Sequence, residues 1–306
     1  MCFDDRVVVG DGSTADLDQA VAQFVAVRGR LFGIAYRMLG SRSEAEDIVQ
    51  DVWLRWQNYD HDTVVDPAAF LATTTTRLCI NALQSARARR ETYIGPWLPE
   101  PIDTSADPLL GAERGEAMEL ATLMLLERLN PVERAAYVLR EAFDYPYAQI
   151  GQVLQVKEDN ARQIAARARK HIADERRAPV DSAEQRRLLE ALVAAARQGD
   201  LARLETLLAD DVVSYTDGNG MRGAARIPVR GKAVVAKFIK AFAPQFWTDT
   251  SLRWITANGR PAALISRNGA VVALLAASAS DQGLDQLMWV LSPAKLSRVA
   301  IPPHRQ

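Results

Sequence analysis

The chain has 306 residues, 48% hydrophobic and 25% charged, a length for two or three domains and a composition that excludes wholesale disorder and collagen-like repeats. Its 37 Lys+Arg against 38 Asp+Glu give a formal net charge of −1, so no global excess of positive charge marks it for nucleic acid. Only Cys2 and Cys79, no basic-then-apolar leader in MCFDDRVVVGDG, and a longest small/apolar run (Ala270–Ala279) about half of a roughly 20-residue membrane helix point to a reduced, cytoplasmic compartment and no membrane.

Two punctuation zones divide the chain. Glu91–Gly111 holds Pro96, Pro99, Pro101 and Pro108, four of the 14 prolines, and reads as an extended linker. Ala173–Ala183 is polar and contains Pro179. The domains expected are therefore 1–92, a linker 93–111, then 112–176 and 182–306.

The first segment reads as helices. Leu31, Ile34, Ala35, Met38 and Leu39 share one face of a helix over Arg30–Leu39. Ser41-Arg-Ser-Glu44 is a capping box, which opens a helix to about Gln57. Ala45, Ile48, Val49, Val52, Trp53 and Trp56 form the apolar stripe of that helix, and Glu44, Glu46, Asp47 and Asp51 make its other face acidic. Asp66-Pro67 starts a third helix, which ends in Arg87, Arg89 and Arg90. Cys79, among Leu78, Ile80 and Ala82, reads as a buried small hydrophobe.

In the middle segment Asn130-Pro-Val-Glu133 caps a helix over 131–142. A short helix 147–154, a turn at Gln155–Glu158 and a helix 159–173 follow, with Ile150, Leu154, Val156, Ala161, Ile164 and Ala168 as a helix-turn-helix core. Gly151 permits the close helix crossing. The outward face of the last helix offers Asn160, Arg162, Gln163, Arg167, Arg169 and Lys170, the residue types that read base edges and phosphates.

The third segment mixes helices (183–198, 200–208, 232–242) with strands (212–216, 251–256, 262–266, 271–276, 286–291) and reads as an α+β domain. Asp217-Gly-Asn-Gly220 is its glycine-rich turn, where Asp217 is ordinary turn chemistry or a lone catalytic carboxylate. No His/Cys/carboxylate set has metal-ligand spacing and no nucleotide-binding glycine pattern occurs, so neither metal nor cofactor is expected.

Taken in order, 31-LFGIAYRMLGSRSEAEDIVQDVWLRW-56, 66-DPAAFLATTTTRLCINALQSARARRE-91 and 129-LNPVERAAYVLREAFDYPYAQIGQVLQVKEDNARQIAARARKHI-172 closely resemble an extracytoplasmic-function (ECF) sigma factor of bacterial RNA polymerase. The first two blocks are similar to conserved region 2 and the third to region 4. The linker 93-YIGPWLPEP-101 resembles that of the SigJ-type subgroup, which carries a C-terminal SnoaL-like domain of the NTF2-like fold. Two departures stand out. The subgroup's Asp-Gly-Gly-Gly-Lys loop reads Asp217-Gly218-Asn219-Gly220-Met221, and its Asn-Pro-Asp-Lys-Leu reads Ser292-Pro293-Ala294-Lys295-Leu296.

The resemblance implies two all-α sigma domains followed by an α+β cone, a non-enzyme that binds core polymerase through the beta-prime clamp and beta flap and binds promoter DNA. Glu44, Glu46, Asp47 and Asp51, stiffened by Trp53, would meet the basic clamp. Arg77 and Asn81 would contact the −10 element beside a base pocket at Asp60–Phe70, with Arg87, Arg89 and Arg90 on phosphates. Arg162, Gln163 and Arg167 would read the −35 element, with Asn160 on the same face and Arg169 and Lys170 on phosphates. Trp97, Leu98, Pro99, Glu100 and Pro101 would face Asp217, Gly218, Asn219 and Gly220 in a regulatory contact that replaces a separate anti-sigma protein. The rival classes are a helix-turn-helix regulator fused to a ligand-binding or catalytic pocket, and a repressor that needs no polymerase.

Residues 1–180 hold 21 Lys+Arg and 27 Asp+Glu, and residues 181–306 hold 16 and 11. The half assigned to DNA is thus the acidic one. The useful signal is local, because charges beyond about 10 Å are screened.

Overall fold

A computed structural model describes residues 14–91, 93–105, 119–173, 177–221, 223–297 and 299. Contacts divide the chain into two compact units, Met1–Arg87 with Leu129–His171, and Ala88–Arg128 with Ile172–Gln306.

The first unit is helical. Helix α1 (Thr14–Leu39) begins well before the expected Arg30, because Ala20 and Phe24 continue the buried stripe toward the N-terminus. Helix α2 (Arg42–Trp56) starts where Ser41 Oγ accepts the Glu44 N–H at 3.2 Å. Helix α3 (Pro67–Glu91) starts where Asp66 Oδ1 accepts the Ala69 N–H at 3.0 Å. Trp56 is buried and donates its indole N–H to Ala20 O at 3.1 Å, while the half-buried Trp53 packs on Phe24 at 5.1 Å. The Cys79 thiol is fully buried, and loss of water followed by the Glu44 charge pushes its pKa far up, which rules out a nucleophile.

Helix α5 (Pro131–Tyr137) carries the capping box expected at Asn130 and Glu133, and a single π turn (Val138–Ala142) continues it. Helices α6 (Tyr147–Leu154) and α7 (Glu158–Ala173) follow. Gln155 turns the chain between them at φ 58°, and a side chain at Gly151 would meet Val156 O at 2.7 Å, so glycine is required there. Two arginines, Arg134 buried and Arg30 half-buried, join these helices to α1 within the unit. Arg134 donates to Met38 O at 2.7 Å, where a cation complements the helix C-terminus, and Arg30 donates to Phe143 O at 3.2 Å.

The second unit is built on a six-stranded sheet in the order β2-β1-β6-β5-β4-β3. Its strands are β1 (Leu208–Asp217), β2 (Val229–Arg230), β3 (Thr250–Ala257), β4 (Arg260–Arg267), β5 (Ala270–Ser280) and β6 (Gly283–Val290). The expected antiparallel meander is β3 to β6, and β1 closes onto β6 in parallel, Thr216 opposite Trp289. Helices α8 (Ser182–Gln198), α9 (Leu201–Leu207) and α10 (Lys232–Phe246) cover one face through Leu189, Leu192, Leu204, Val235 and Ile239. Helix α10 runs through Pro244 to Phe246, past the expected end at Phe242, because Ala243 and Phe246 still pack against the core.

The opposite face is covered by residues from far earlier in the chain. Leu98, together with Leu120 of helix α4 (Leu120–Leu126) and Leu296 of α11 (Pro293–Leu296), packs on Ile255, Leu264, Leu274, Met288 and Val290. The stretch expected as a linker is extended, but it is a fitted part of this unit. Leu98, Pro99, Pro101 and Ile102 are buried, Ile102 and Asn258 exchange two hydrogen bonds (3.0 and 2.8 Å), and Thr104 N–H reaches Thr256 O at 2.9 Å. Glu119 at the head of α4 pairs with Arg260 at 2.7 Å.

Candidate functional site

The second unit converges on Asp217, at the end of β1. Its side chain is completely buried. Oδ2 accepts the Leu98 N–H at 2.8 Å and the Lys295 ammonium at 2.7 Å, and Oδ1 accepts the Tyr93 hydroxyl. Lys295, only 7% exposed, also donates to Leu98 O and lies 4.2 Å over the Trp97 ring and 5.5 Å over that of Tyr93. The Asp217 carbonyl accepts the Leu291 and Ser292 N–H groups at 2.7 and 3.1 Å, which ties the lysine-bearing turn to β1. Removal from water, and then the hydrogen bond to Asp217, push the Tyr93 phenol well above its ordinary pKa.

Buried charges need partners, and here each has several. The carboxylate accepts from three directions. The glycine turn completes the contact. Gly220 donates to Ile94 O at 3.1 Å, and a side chain there, at φ 80°, would press on Ile94. A side chain at Gly218 would collide with Ala224. The structure thus brings Trp97 and Leu98 together with Asp217 and Gly220. Pro99 and Pro101 are buried beside them, Glu100 is half-buried, and Asn219 is an exposed left-handed turn residue at φ 44°.

Lys295 is the residue that sequence reasoning missed. The signal was present, since it is the lysine retained in the altered Ser-Pro-Ala-Lys-Leu motif. Its partner Asp217 is 78 positions away, and pairing across that distance is invisible to spacing.

In the first unit Asp47 and Asp51 are exposed and Glu44 and Glu46 half-buried on α2, with Glu46 accepting from Arg42 at 2.9 Å. Tyr59, Trp56, His61 and Phe70 form a ring cluster at the stretch expected to hold the base pocket, with Tyr59–Phe70 at 4.6 Å and Trp56–His61 at 4.3 Å. Tyr59 is exposed, as is Asn81 one turn after Arg77. Arg77 differs from expectation. Its guanidinium donates to Gln152 O and Val153 O at 2.9 and 3.0 Å at the end of α6, because free carbonyls at a helix C-terminus attract a cation. The side chains of Arg87, Arg89 and Arg90 lie outside the described residues.

Helix α7 buries Ala161, Ile164, Ala165 and Ala168 and exposes Asn160, Arg162, Gln163, Arg167, Arg169 and Lys170. Arg162 pairs with Glu158 at 3.2 Å and lies over Tyr147, and Arg169 pairs with Glu141 at 2.6 Å. Exposed pairs of this kind are worth about 0–1 kcal/mol, a small barrier to a phosphate competitor. Among the described residues no group of His, Cys, Asp or Glu side chains is arranged to hold a metal, and no helix is long and apolar enough to cross a membrane.

Comparison with known proteins assigns this architecture to a class. The family model of Sigma-70 region 2 matches residues 24–89 and that of Sigma-70 region 4 matches residues 119–172. The ECF RNA polymerase sigma factor SigJ of Mycobacterium tuberculosis is 41% identical over 225 residues, 72% of each chain. The probable ECF sigma factor SigI of the same species is 30% identical over 91% of this chain and 95% of its own. The crystal structure of M. tuberculosis SigJ superposes with a TM-score of 0.73 at 33% identity, covering 91% of this chain and 98% of that one. The chain belongs to the ECF sigma factors of RNA polymerase. Helical sigma regions followed by an α+β domain bear out the expected fold class, and sigma domains of this kind imply core polymerase and promoter DNA as partners.

Proposed function

We propose that this sigma factor docks its acidic α2 face, Glu44, Glu46, Asp47 and Asp51, on a basic surface of the polymerase beta-prime clamp, while the α5–α7 segment engages the beta flap. The exposed acids suit such a surface, and electrostatic complementarity sets docking orientation and rate. Region 2 captures an extruded −10 base on the Tyr59–Phe70 ring cluster, with Asn81 nearby and Arg87, Arg89 and Arg90 on phosphates. Arg77 joins that surface only after exchanging its bonds to α6. Region 4 reads the −35 element through Arg162, Gln163 and Arg167, with Asn160, Arg169 and Lys170 in support. The protein acts in the cytoplasm, where its polymerase is.

The C-terminal domain is a non-catalytic, built-in regulator in place of a separate anti-sigma protein. The observation that carries this reading is the Asp217–Lys295 pair closed on both the N–H and the C=O of Leu98. A linker held on both backbone groups is not free to span two promoter elements, so the latch restrains initiation until it opens. Run-off transcription with purified core polymerase tests this. Wild type should initiate only with core and only at a −35/−10 promoter. Asp217→Asn/Lys295→Met, which removes both charges together and leaves no orphaned ion, should raise initiation several-fold. Tight promoter binding and repression without core would favour the repressor reading.

A further inference from the structure

The second unit contains an aromatic cavity beside the latch. We propose that this cavity binds a small uncharged aromatic molecule, and that its occupancy is transmitted to the linker through the turn that joins them. The proposal deepens the regulatory reading above, and its second half rests on the latch described there.

The walls are Phe238, Phe242 and Phe246 of α10 with Trp247 and Trp289. Phe246 meets Trp247 edge-on at 4.9 Å and Trp289 edge-on at 5.4 Å, an arrangement that offers ring faces and edges to a further ring. Among the described residues the lining is apolar apart from Thr216, which supplies a hydroxyl. Apolar, aromatic walls offer dispersion and ring-edge contacts rather than charge, and taking a charge from water into such walls is costly, so a neutral guest suits them.

The volume is about 70 Å³. That is several times the ~10–15 Å³ one water needs and about half of a roughly 150 Å³ cavity known to take up benzene. A single ring therefore enters with its outer edge at the mouth, where Phe242 is 38% exposed.

Coupling follows from shared backbone. Thr216 and Leu291 line the cavity and are the chain neighbours of Asp217 and Ser292, whose backbone groups are tied together at the latch. Gly223, also on the wall, precedes Ala224, which fills the space over Gly218, and Gly220 of the same turn bonds to Ile94 O at 3.1 Å. A ring pressed against Thr216 and Gly223 braces the turn that holds the linker.

The test uses the full chain and fluorobenzene as probe. Ligand-observed fluorine NMR should show saturable binding with a dissociation constant of about 1 mM or tighter. Ala243→Phe, which fills the cavity, should weaken it at least about tenfold. Phe242→Ala, at the exposed mouth and safe for folding, should weaken it about fivefold. Amide hydrogen exchange at Leu98 and Gly220 should slow at least about threefold at saturation. No saturable binding, or binding unchanged in the Phe242→Ala variant, overturns the site. Saturation with unchanged exchange at both amides overturns the coupling. Neither readout involves polymerase, so a failure of the transcriptional reading is distinguishable from a failure here.

Discussion

Asp217 and Lys295 meet across 78 positions of sequence, one fully buried and the other nearly so. Such a pair is weak evidence for stability, because desolvation offsets much of the attraction, but it imposes one register on the groups around it. Here the register is that of Leu98, held at both its N–H and its C=O. The sequence exposed half of this arrangement, since a glycine turn opposite the linker was expected, and Asp217 lies in that turn. It hid the other half, because Lys295 stands out only as part of an altered motif and nothing in its spacing says that it meets Asp217. Tyr93 reports on the site directly. Burial and its bond to Asp217 hold its pKa above the ordinary phenol value of about 10. The stabilisation this implies is present below pH ~10 and is lost as pH rises beyond it, where the unfolded chain releases the proton first. In a spectrophotometric titration, wild-type absorbance minus that of Tyr93→Phe should therefore develop only above the ordinary phenol range. A difference that titrates near pH 10 would place Tyr93 in water.

Among the helices, amphipathic period and capping chemistry marked α2, α6, α7, and α5 together with its π turn, to within a residue or two. The start of α1 was missed because the buried positions Ala20 and Phe24 are interleaved with exposed Leu17, Val21 and Val25, which blurs the stripe. The bonds of Arg77 to α6 were illegible for another reason. Its acceptors are backbone carbonyls about 75 residues further on, and carbonyls leave no mark in a sequence. Gly151 was read correctly as a close crossing. A side chain there would strike the Val156 carbonyl, backbone that cannot swing aside. Gly151→Ala should destabilise the first unit by about 1–3 kcal/mol and weaken −35 recognition while leaving the acidic α2 surface intact. Denaturant unfolding and promoter binding of the holoenzyme check both effects, and an unaffected midpoint would contradict the crossing geometry.

The sheet of the C-terminal domain cannot cover its second face with its own helices. Leu98, from the stretch read as a spacer, and Leu120, from the start of the region 4 match, complete that face. Proline content correctly excluded helix from the linker, but composition does not distinguish an extended chain in water from one laid on a sheet. Leu98→Ala should accordingly destabilise the C-terminal domain by about 2–5 kcal/mol, as a core truncation does, with the loss read in its thermal or denaturant unfolding. A change within ±0.5 kcal/mol, the usual range for a surface site, would contradict the assignment. Removing residues 182–306 altogether strips the partner from Leu98 and Leu120, so it confounds regulation with exposed apolar surface, and the paired point variant is the sharper instrument. The measurement that bears most directly on the latch is core-dependent run-off transcription from one −35/−10 promoter by wild type and by Asp217→Asn/Lys295→Met, compared at equal occupancy of core. Initiation by both is expected, several-fold greater for the variant. Initiation equal in the two, or no core-dependent initiation by wild type, would contradict that expectation.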